Sequence, residues 1–405
     1  MRIGIDLTAL LPEATGVDVA LTGLVRELAR IDRETAYTLF VNREDRALFA
    51  DSLPPNFSIW APSLRPRAAR LLFQQGLLPG LAAALRIDVL HSPSFILPIA
   101  PGRVRHLLTV HDLTSFSRPG DHVPLRRSRG YLRAVRASVR RADLVTVPSA
   151  AVKHTVAHYL GAAAAAKTAI VPWGIGAEFR PLAGAAERAQ LRALGVPEHY
   201  VLFVGTIEPR KNVAGLLEAY RLLLRERPEA PALVLAGRLG WQYENVIAEL
   251  DRRDLRSRVV RIGYVPAAVL PALYAGATLF VYPSHEEGFG FPPLEAMACG
   301  TPAIVSDAPS LAENLTGAAE LVSAGDVPAL AGALRRLLGD AALRARRREL
   351  GLARARQYRW DATARRFVAF YQELARGTPE TGRPGVGPGA ALPRDERWRS
   401  TGSCL

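Results

Sequence analysis

Short apolar runs alternate with longer segments of helical periodicity along most of the chain. The runs at residues 1–7, 37–42, 87–91, 104–110, 143–147 and 168–171 are short and largely apolar, which predicts strands of a buried parallel sheet. A second series repeats the pattern at 200–204, 231–236, 259–262, 277–282, 301–305 and 319–322. Between strands, residues 20–31 place Leu21, Leu24, Val25 and Leu28 on one helical face. Residues 68–85 read as helical, with Gly76 and Pro79 as interruptions, and residues 54–66 as a loop or short strand. Further helices are predicted at 151–160, 213–225, 269–276, 327–338 and 340–356, and a last one at 358–374. Strand and helix in alternation, twice over, give an α/β class with two domains and a cleft between them. Residues 172–176 and 181–184 have the composition of an interdomain linker. Residues 377–405 are rich in Gly, Pro and Arg without periodicity and are expected to be disordered.

Composition narrows the function classes. No apolar run reaches 18 residues, so a membrane-spanning helix is not expected. Arg2 and Asp6 fall where a signal peptide would be apolar, which points to a cytoplasmic chain. The two cysteines, Cys299 and Cys404, form neither a disulfide framework nor a thiolate metal cluster. The net charge of +14 is carried almost entirely by arginine and favours an anionic partner. Without a zinc finger or an aromatic-and-basic signature, nucleic acid is not the expected partner. Residues 118–141 carry eight arginines interleaved with Leu125, Tyr131, Leu132, Val135 and Val139. That amphipathic, cationic segment, 125–141 above all, suits either an anionic lipid surface or a solvated outer face.

Candidate chemistry gathers at the predicted strand ends. Residues 284–300 run strand, glycine-rich loop, short helix, with Glu287 in the loop and Glu295 expected in the first helical turn. Gly288 and Gly290 let backbone N–H groups approach an anion, and Phe289 and Phe291 suit loop anchors. Gly205 opens a second such loop, where Arg210 and Lys211 precede a helix; the pair suits a diphosphate or is a plain surface pair. His111 ends the fourth predicted strand beside Asp112, poised for acid–base work or as a structural histidine. Gly16 follows the first strand and either holds backbone near a ligand or makes an ordinary turn.

Taken with their order, these segments resemble the family 4 retaining glycosyltransferases of the GT-B type, over roughly residues 1 to 375. The resemblance rests on Glu287-x7-Glu295 within Glu287-Gly288-Phe289-Gly290-Phe291-Pro292-Pro293-Leu294-Glu295, on Gly205 to Asn212, on His111-Asp112, on Val171-Pro172-x-Gly174 and on the last helix. It implies an acceptor-side Rossmann-like domain (1–180), a donor domain (181–355) and a helix crossing back to the first domain (356–376), followed by the tail 377–405. It implies a nucleotide-diphosphate sugar as donor, no cofactor and no metal. Arg210 and Lys211 would neutralise the diphosphate, Glu295 would hold the ribose hydroxyls and Glu287 the sugar hydroxyls. Backbone of Gly288, Phe289, Gly290 and Phe291 would meet sugar and phosphate, His111 would line the reaction centre, and Gly16 would approach the phosphates. Arg238, Tyr264 and Val265 would shape the base pocket, and Gly205 would bind the donor as the start of the diphosphate loop. The Gly-Phe-Gly-Phe-Pro-Pro-Leu-Glu form resembles mannosyltransferase-like members that build O-antigen and exopolysaccharide. GDP-mannose is therefore the first donor expected, with UDP- and dTDP-sugars open, and a glycan or polyprenyl-linked glycan is the expected acceptor, met at the inner membrane face. A non-catalytic nucleotide-sugar-binding protein is the alternative class. One segment departs from the family pattern: Gly16-Val17-Asp18-Val19-Ala20 lacks the second glycine and Arg-Tyr pair, and Asp18 is expected to bring negative charge near the phosphates.

Overall fold

The computed structural model describes residues 1–377, save 14, 51, 66, 101, 123–127, 182–183 and 251. The tail after 377 and residues Leu125 to Arg127 of the basic segment thus lie outside the described residues. The first sheet comprises β1 (Arg2–Asp6), β2 (Ala36–Phe40), β3 (Phe57–Trp60), β4 (Val89–Ser92), β5 (Arg105–Thr109), β6 (Leu144–Val147) and β7 (Thr168–Ile170). All its pairings are parallel, in the order β3-β2-β1-β4-β5-β6-β7. The second sheet comprises β8 (Tyr200–Val204), β9 (Ala232–Ala236), β10 (Val259–Gly263), β11 (Leu279–Tyr282), β12 (Ala303–Ser306) and β13 (Glu320–Val322). It is also parallel, in the order β10-β9-β8-β11-β12-β13. In both sheets the order reverses beside the first strand, the topological switch that opens a crevice at the strand carboxyl ends. Helices cover both faces, so the two predicted Rossmann-like layers are present and make a GT-B architecture.

Three differences from the sequence reading bear on the first unit. The helix expected at 20–31 begins four residues earlier, at Gly16–Ile31. Asp18 explains this: its carboxylate accepts the backbone N–H and the hydroxyl of Thr15 at 2.7 and 2.6 Å, closing a capping box on the first turn. The interruption in 68–85 is a π-helical turn, Phe73–Leu77, between helices Arg67–Leu72 and Leu78–Ala84. The wide turn accommodates Pro79, which lacks the donor a regular helix needs. The basic helix spans Arg129–Arg141, with Val135, Ser138 and Val139 buried and Arg136 lying over the Phe116 ring.

After β13, helix Ala341–Ala355 packs on the second unit, and helix Trp360–Arg376 crosses back to helix Gly16–Ile31 and β4 of the first. Trp360 sits where two glycines make room. A Cβ on Gly23 would fall 2.2 Å from its ring, and one on Gly174 2.2 Å from its backbone nitrogen. Farther along the helix, the Tyr371 hydroxyl meets His91 Nδ1 at 2.8 Å. Among the described residues, no helix is long and apolar enough to cross a membrane.

Candidate active site

The carboxyl ends of the two sheets face each other, and the loops that follow β5, β8 and β11 converge there. After β8, the turn Pro209–Lys211 carries Arg210 and Lys211 inward, and Asn212 in the left-handed conformation starts helix Val213–Glu226. After β11, Glu287 lies between the two cations. Its carboxylate meets Arg210 Nη1 at 2.9 Å and Lys211 Nζ at 2.6 Å. Arg210 also bonds Glu208 at 2.7 Å and donates to the Glu286 carbonyl at 2.9 Å. Lys211 also reaches the Tyr282 hydroxyl. The pair read as surface-like or diphosphate-facing is therefore a buried charge cluster.

Mutual charge decides the protonation states here. Burial works against ionising Glu287, but Arg210 and Lys211 hold its carboxyl below the usual range. Burial likewise opposes the Arg210 charge, which Glu287 and Glu208 more than restore. Burial, then Arg210, brings the Lys211 ammonium down. Arg210 Nε is buried and finds no hydrogen-bond partner among the described residues. A buried charged donor of that kind is costly unless a ligand oxygen meets it.

The glycine-rich loop is held by its carbonyls. Ser310 donates to Glu287 O at 2.6 Å, Ser149 to Gly288 O at 2.9 Å and Asn314 to Phe289 O at 2.7 Å. Because each peptide is planar and trans, the amide N–H groups of Gly288, Phe289 and Gly290 point opposite to those donors. Phe289 and Phe291 are buried edge to face, 5.0 Å apart, so they anchor the loop by side chain and leave its backbone to a ligand. Glycine is required at 288, where a Cβ would come 1.9 Å from the His111 carbonyl across the cleft. His111 is buried. Its Nε2 donates to Pro93 O at 2.7 Å and its ring stacks on Trp173 at 5.6 Å. Gly16, now the first helical residue, faces Phe291, whose ring a Cβ there would touch at 3.7 Å. Gly16, His111 and the 288–291 loop are thus brought together with Arg210, Lys211 and Glu287.

Of the remaining candidates, Gly205 borders the cluster: a Cβ there would touch the Tyr282 ring at 3.8 Å. Glu295 is the fifth residue of helix Phe291–Ala298, a turn deeper than expected, because the helix already starts at Phe291. It is buried and accepts from the Tyr274 hydroxyl at 2.9 Å. Burial pushes its carboxyl up to about 7, with the Tyr274 bond opposing and Glu178 adding to the shift. Gly205 and Gly237 press backbone to backbone, a Cβ on Gly237 falling 2.0 Å from Gly205 O. Arg238 follows β9 and reaches Glu13 of the first unit at 3.3 Å. Tyr264, exposed, and Val265, buried, follow β10 at the sheet edge, in no bond with the Arg210 cluster. Asp18 does not face this crevice as a bare charge, contrary to expectation: besides Thr15 it accepts Leu11 N–H at 3.1 Å, and burial raises its pKa. Among the described residues, no group of His, Cys, Asp and Glu is arranged to hold a metal ion.

Residues 14–179 match the model described as Glycosyltransferase Family 4, and residues 188–353 that described as Glycosyl transferases group 1. The chain is 34% identical to the O-antigen chain mannosyltransferase B of Escherichia coli over 292 residues, 71% of this chain and 74% of that protein. It belongs to the family 4 and group 1 glycosyltransferases. Two solved structures share the fold of this glycosyltransferase. One is a sucrose-phosphate synthase from Thermosynechococcus elongatus (TM-score 0.76, 23% identity, 93% of this chain and 100% of that one). The other is Anabaena HepE in complex with UDP-glucose (TM-score 0.71, 19% identity, 93% and 99%). The reaction class follows: transfer of a sugar from a nucleotide donor to an acceptor.

Several residues that frame this candidate site are not singled out by the sequence reading. Glu208 and Tyr282 complete the charge cluster, and Tyr274 is the partner of Glu295. Others join the two units across the cleft. Glu313 accepts the N–H groups of Ala150 and Ala151, each at 2.8 Å, at the start of helix Ala150–Leu160. Ser117 donates to Glu286 at 2.6 Å, and Trp241 Nε1 to Asp121 O at 2.9 Å. Glu208, two places before Arg210, and Glu286, beside Glu287, stand where sequence proximity could point to them. The rest are partners made by folding.

Proposed function

We propose that this glycosyltransferase retains anomeric configuration and moves mannose from GDP-mannose to a glycan on a lipid carrier. The observation that carries the donor reading is Arg210, buried at the strand-end crevice with an unmet Nε donor beside Lys211 and Glu287. The choice of mannose rests on the similarity to the O-antigen chain mannosyltransferase. Residues 181–355 take the donor and 1–180 the acceptor. Arg210 and Lys211 meet the diphosphate, and negative charge developing on the leaving phosphate is what such fixed cations stabilise. Glu287 releases part of its hold on them to meet sugar hydroxyls, Glu295 holds ribose, and His111 lines the sugar. Amides of Gly288 to Phe291 and the helix start at Gly16 close on donor oxygens, while Arg238, Tyr264 and Val265 border the base above Gly205. The bond from anomeric carbon to phosphate oxygen breaks on the face where the acceptor oxygen bonds, and the acceptor proton passes to the departing phosphate. No metal is assigned to these steps. The work takes place at the cytoplasmic face of a membrane.

The test is calorimetric titration with GDP, UDP, ADP, dTDP and CDP, first without metal and then with magnesium. GDP binding that Arg210→Ala and Glu295→Ala abolish supports the reading, and NMR of the product then reports its anomeric configuration. UDP binding instead would replace the donor, a reading favoured by the shared fold with the HepE–UDP-glucose complex. No nucleotide binding by the folded protein would favour a non-catalytic member.

A further inference from the structure

Glu286 belongs to both sides of the cleft. Its backbone lies in the loop after β11, where Arg210 Nη1 donates to its carbonyl at 2.9 Å. Its side chain turns the other way. Ser117, at the end of the short helix Thr114–Ser117 that follows β5 in the first unit, donates to Oε2 at 2.6 Å. The next residue, Glu287, folds back onto Arg210 and Lys211. One peptide step thus separates a carboxylate committed to the cations from a carboxylate presented to the opposite unit. Donor binding gives the second of these no task.

The wall that Glu286 faces is polar and carries negative charge. Asp112 follows His111, and its Oδ1 accepts the N–H and the hydroxyl of Thr114 at 3.1 and 2.7 Å. The Asp112 charge bears on both Glu286 and Arg210, which places it at the same end of the cleft. From 112 to 122 the one basic side chain besides His122 is Arg118, and Asp121 holds it at 2.5 Å. Glu286 is half-buried, and its Oε1 meets no hydrogen-bond donor among the described residues. Burial raises its carboxyl and Asp112 adds to the rise, while Ser117, Arg118 and Arg210 oppose it. A carboxylate in that position is short of donors, and a further O–H stabilises it.

A sugar hydroxyl supplies that O–H without bringing charge. A phosphate in the same place would meet two carboxylates, Asp112 and Glu286, and cations already paired with Glu287, Glu208 and Asp121. We infer that Glu286 binds the acceptor: its carboxylate takes a hydroxyl of a neutral sugar, and an acceptor ending in phosphate is excluded. Because Arg210 holds the Glu286 carbonyl, a sugar on that carboxylate is also held in register with the leaving diphosphate. Ser117 is a positioning residue, which keeps the carboxylate turned toward the first unit. This role rests on the donor reading of Arg210 proposed above and adds to it the chemistry of the acceptor end.

Saturation-transfer NMR of the whole protein tests this without donor or turnover. The probes are the methyl α-glycosides of mannose, glucose, galactose and N-acetylglucosamine, each beside its 6-phosphate. Wild type is expected to bind at least one neutral glycoside saturably and its 6-phosphate at least tenfold more weakly. Glu286→Gln is expected to lose about tenfold in affinity for the neutral glycoside, as the loss of a hydrogen bond to a charged group implies. Ser117→Ala should lose a few-fold, and Ser117→Thr, which keeps the hydroxyl, should regain it. Thermal midpoint and nucleoside-diphosphate affinity, measured on the same samples, should stay at wild-type values. Unchanged glycoside binding by Glu286→Gln overturns the role, and so does wild type that binds no neutral glycoside or binds a 6-phosphate as tightly. A Glu286→Gln loss that falls on nucleotide affinity instead would put the residue on the donor and overturn it too. Wild type that binds glycoside through Glu286 but no nucleotide would support the acceptor role and strike the donor reading alone.

Discussion

Arg210 binds three ways at once, and each consequence is measurable. With side chains only 14% and 9% exposed, Arg210 and Glu287 form a pair whose worth lies in mutual neutralisation. Removing one partner leaves buried carboxylates beside Lys211 alone, a change that typically costs about 3–5 kcal/mol. Arg210→Met is therefore expected to lower thermal stability and to cut turnover by about 10²–10³-fold. Adding Glu287→Gln is expected to restore much of the stability and none of the turnover, which denaturant melts and a transfer assay read separately. Glu295 gives a pH signature. Its folded carboxyl sits at about 7, above the ordinary 4.5, so folding favours the protonated form. The stabilisation is complete below about 4.5 and is lost as pH rises through about 7. Melting temperatures from pH 5 to 8 should fall for wild type relative to Glu295→Gln, and parallel curves would refute this assignment.

Glu313 shows how an element can act as a latch between the units. Helix Pro309–Leu315 follows β12, and its Glu313 places a carboxylate on two N–H groups at the start of Ala150–Leu160 in the other unit. A carboxylate there satisfies orphan donors and complements the helix field, worth about 1–2 kcal/mol in partly buried geometry. Glu313→Ala is expected to shift the population toward an open cleft, seen as a larger radius of gyration by solution scattering, with little change in secondary structure. Turnover should fall about tenfold while the melting of each sheet holds. Nothing in the sequence around 313 marks it, because its partners lie more than 160 residues away. The strands were legible for the opposite reason: a parallel strand buried on both faces announces itself as an apolar run whatever its neighbours do. The charged loop at 205–212 and the loop at 284–300 were legible as well, since glycine, proline and charge are local signals. What was not legible is what those charges meet. Arg210 and Lys211 read as cations awaiting an anion, whereas the fold supplies Glu287 from 76 residues on. The helix start at Gly16 was missed because the capping box, Thr15 with Asp18, was read only as a departure from a family pattern.

The returning helix is anchored to the first unit where Trp360 wedges between helix Gly16–Ile31 and the connecting segment at Gly174, and farther along it covers His91. A buried chain of polar groups runs inward from that helix: the Tyr371 hydroxyl to His91 Nδ1, His91 Nε2 to Thr109 at 2.8 Å, and Thr109 to Thr146 at 2.8 Å. Burial, aided by His111, holds the His91 imidazole down at about 3, so it stays neutral across the physiological range. Because the unfolded chain protonates this histidine near 6.5, its contribution to stability is full above that pH and is lost progressively as pH falls toward 3. Gly174→Ala tests whether the crossover helix is what maintains this state. The added methyl would lie 2.2 Å from the Trp360 nitrogen and 2.5 Å from its Cα, backbone atoms that move only if the helix moves. Gly23→Ala meets only the indole ring, which can rotate away. Gly174→Ala is thus expected to cost about 1–3 kcal/mol and Gly23→Ala less. In Gly174→Ala the helix should draw Tyr371 off His91, bringing the imidazole back toward an ordinary pKa and flattening the loss of stability between pH 6.5 and 4. Histidine NMR titration with melting curves reads both effects. A His91 that stays neutral at pH 5 in a destabilised Gly174→Ala would mean that the sheet alone, and not the returning helix, keeps it dry.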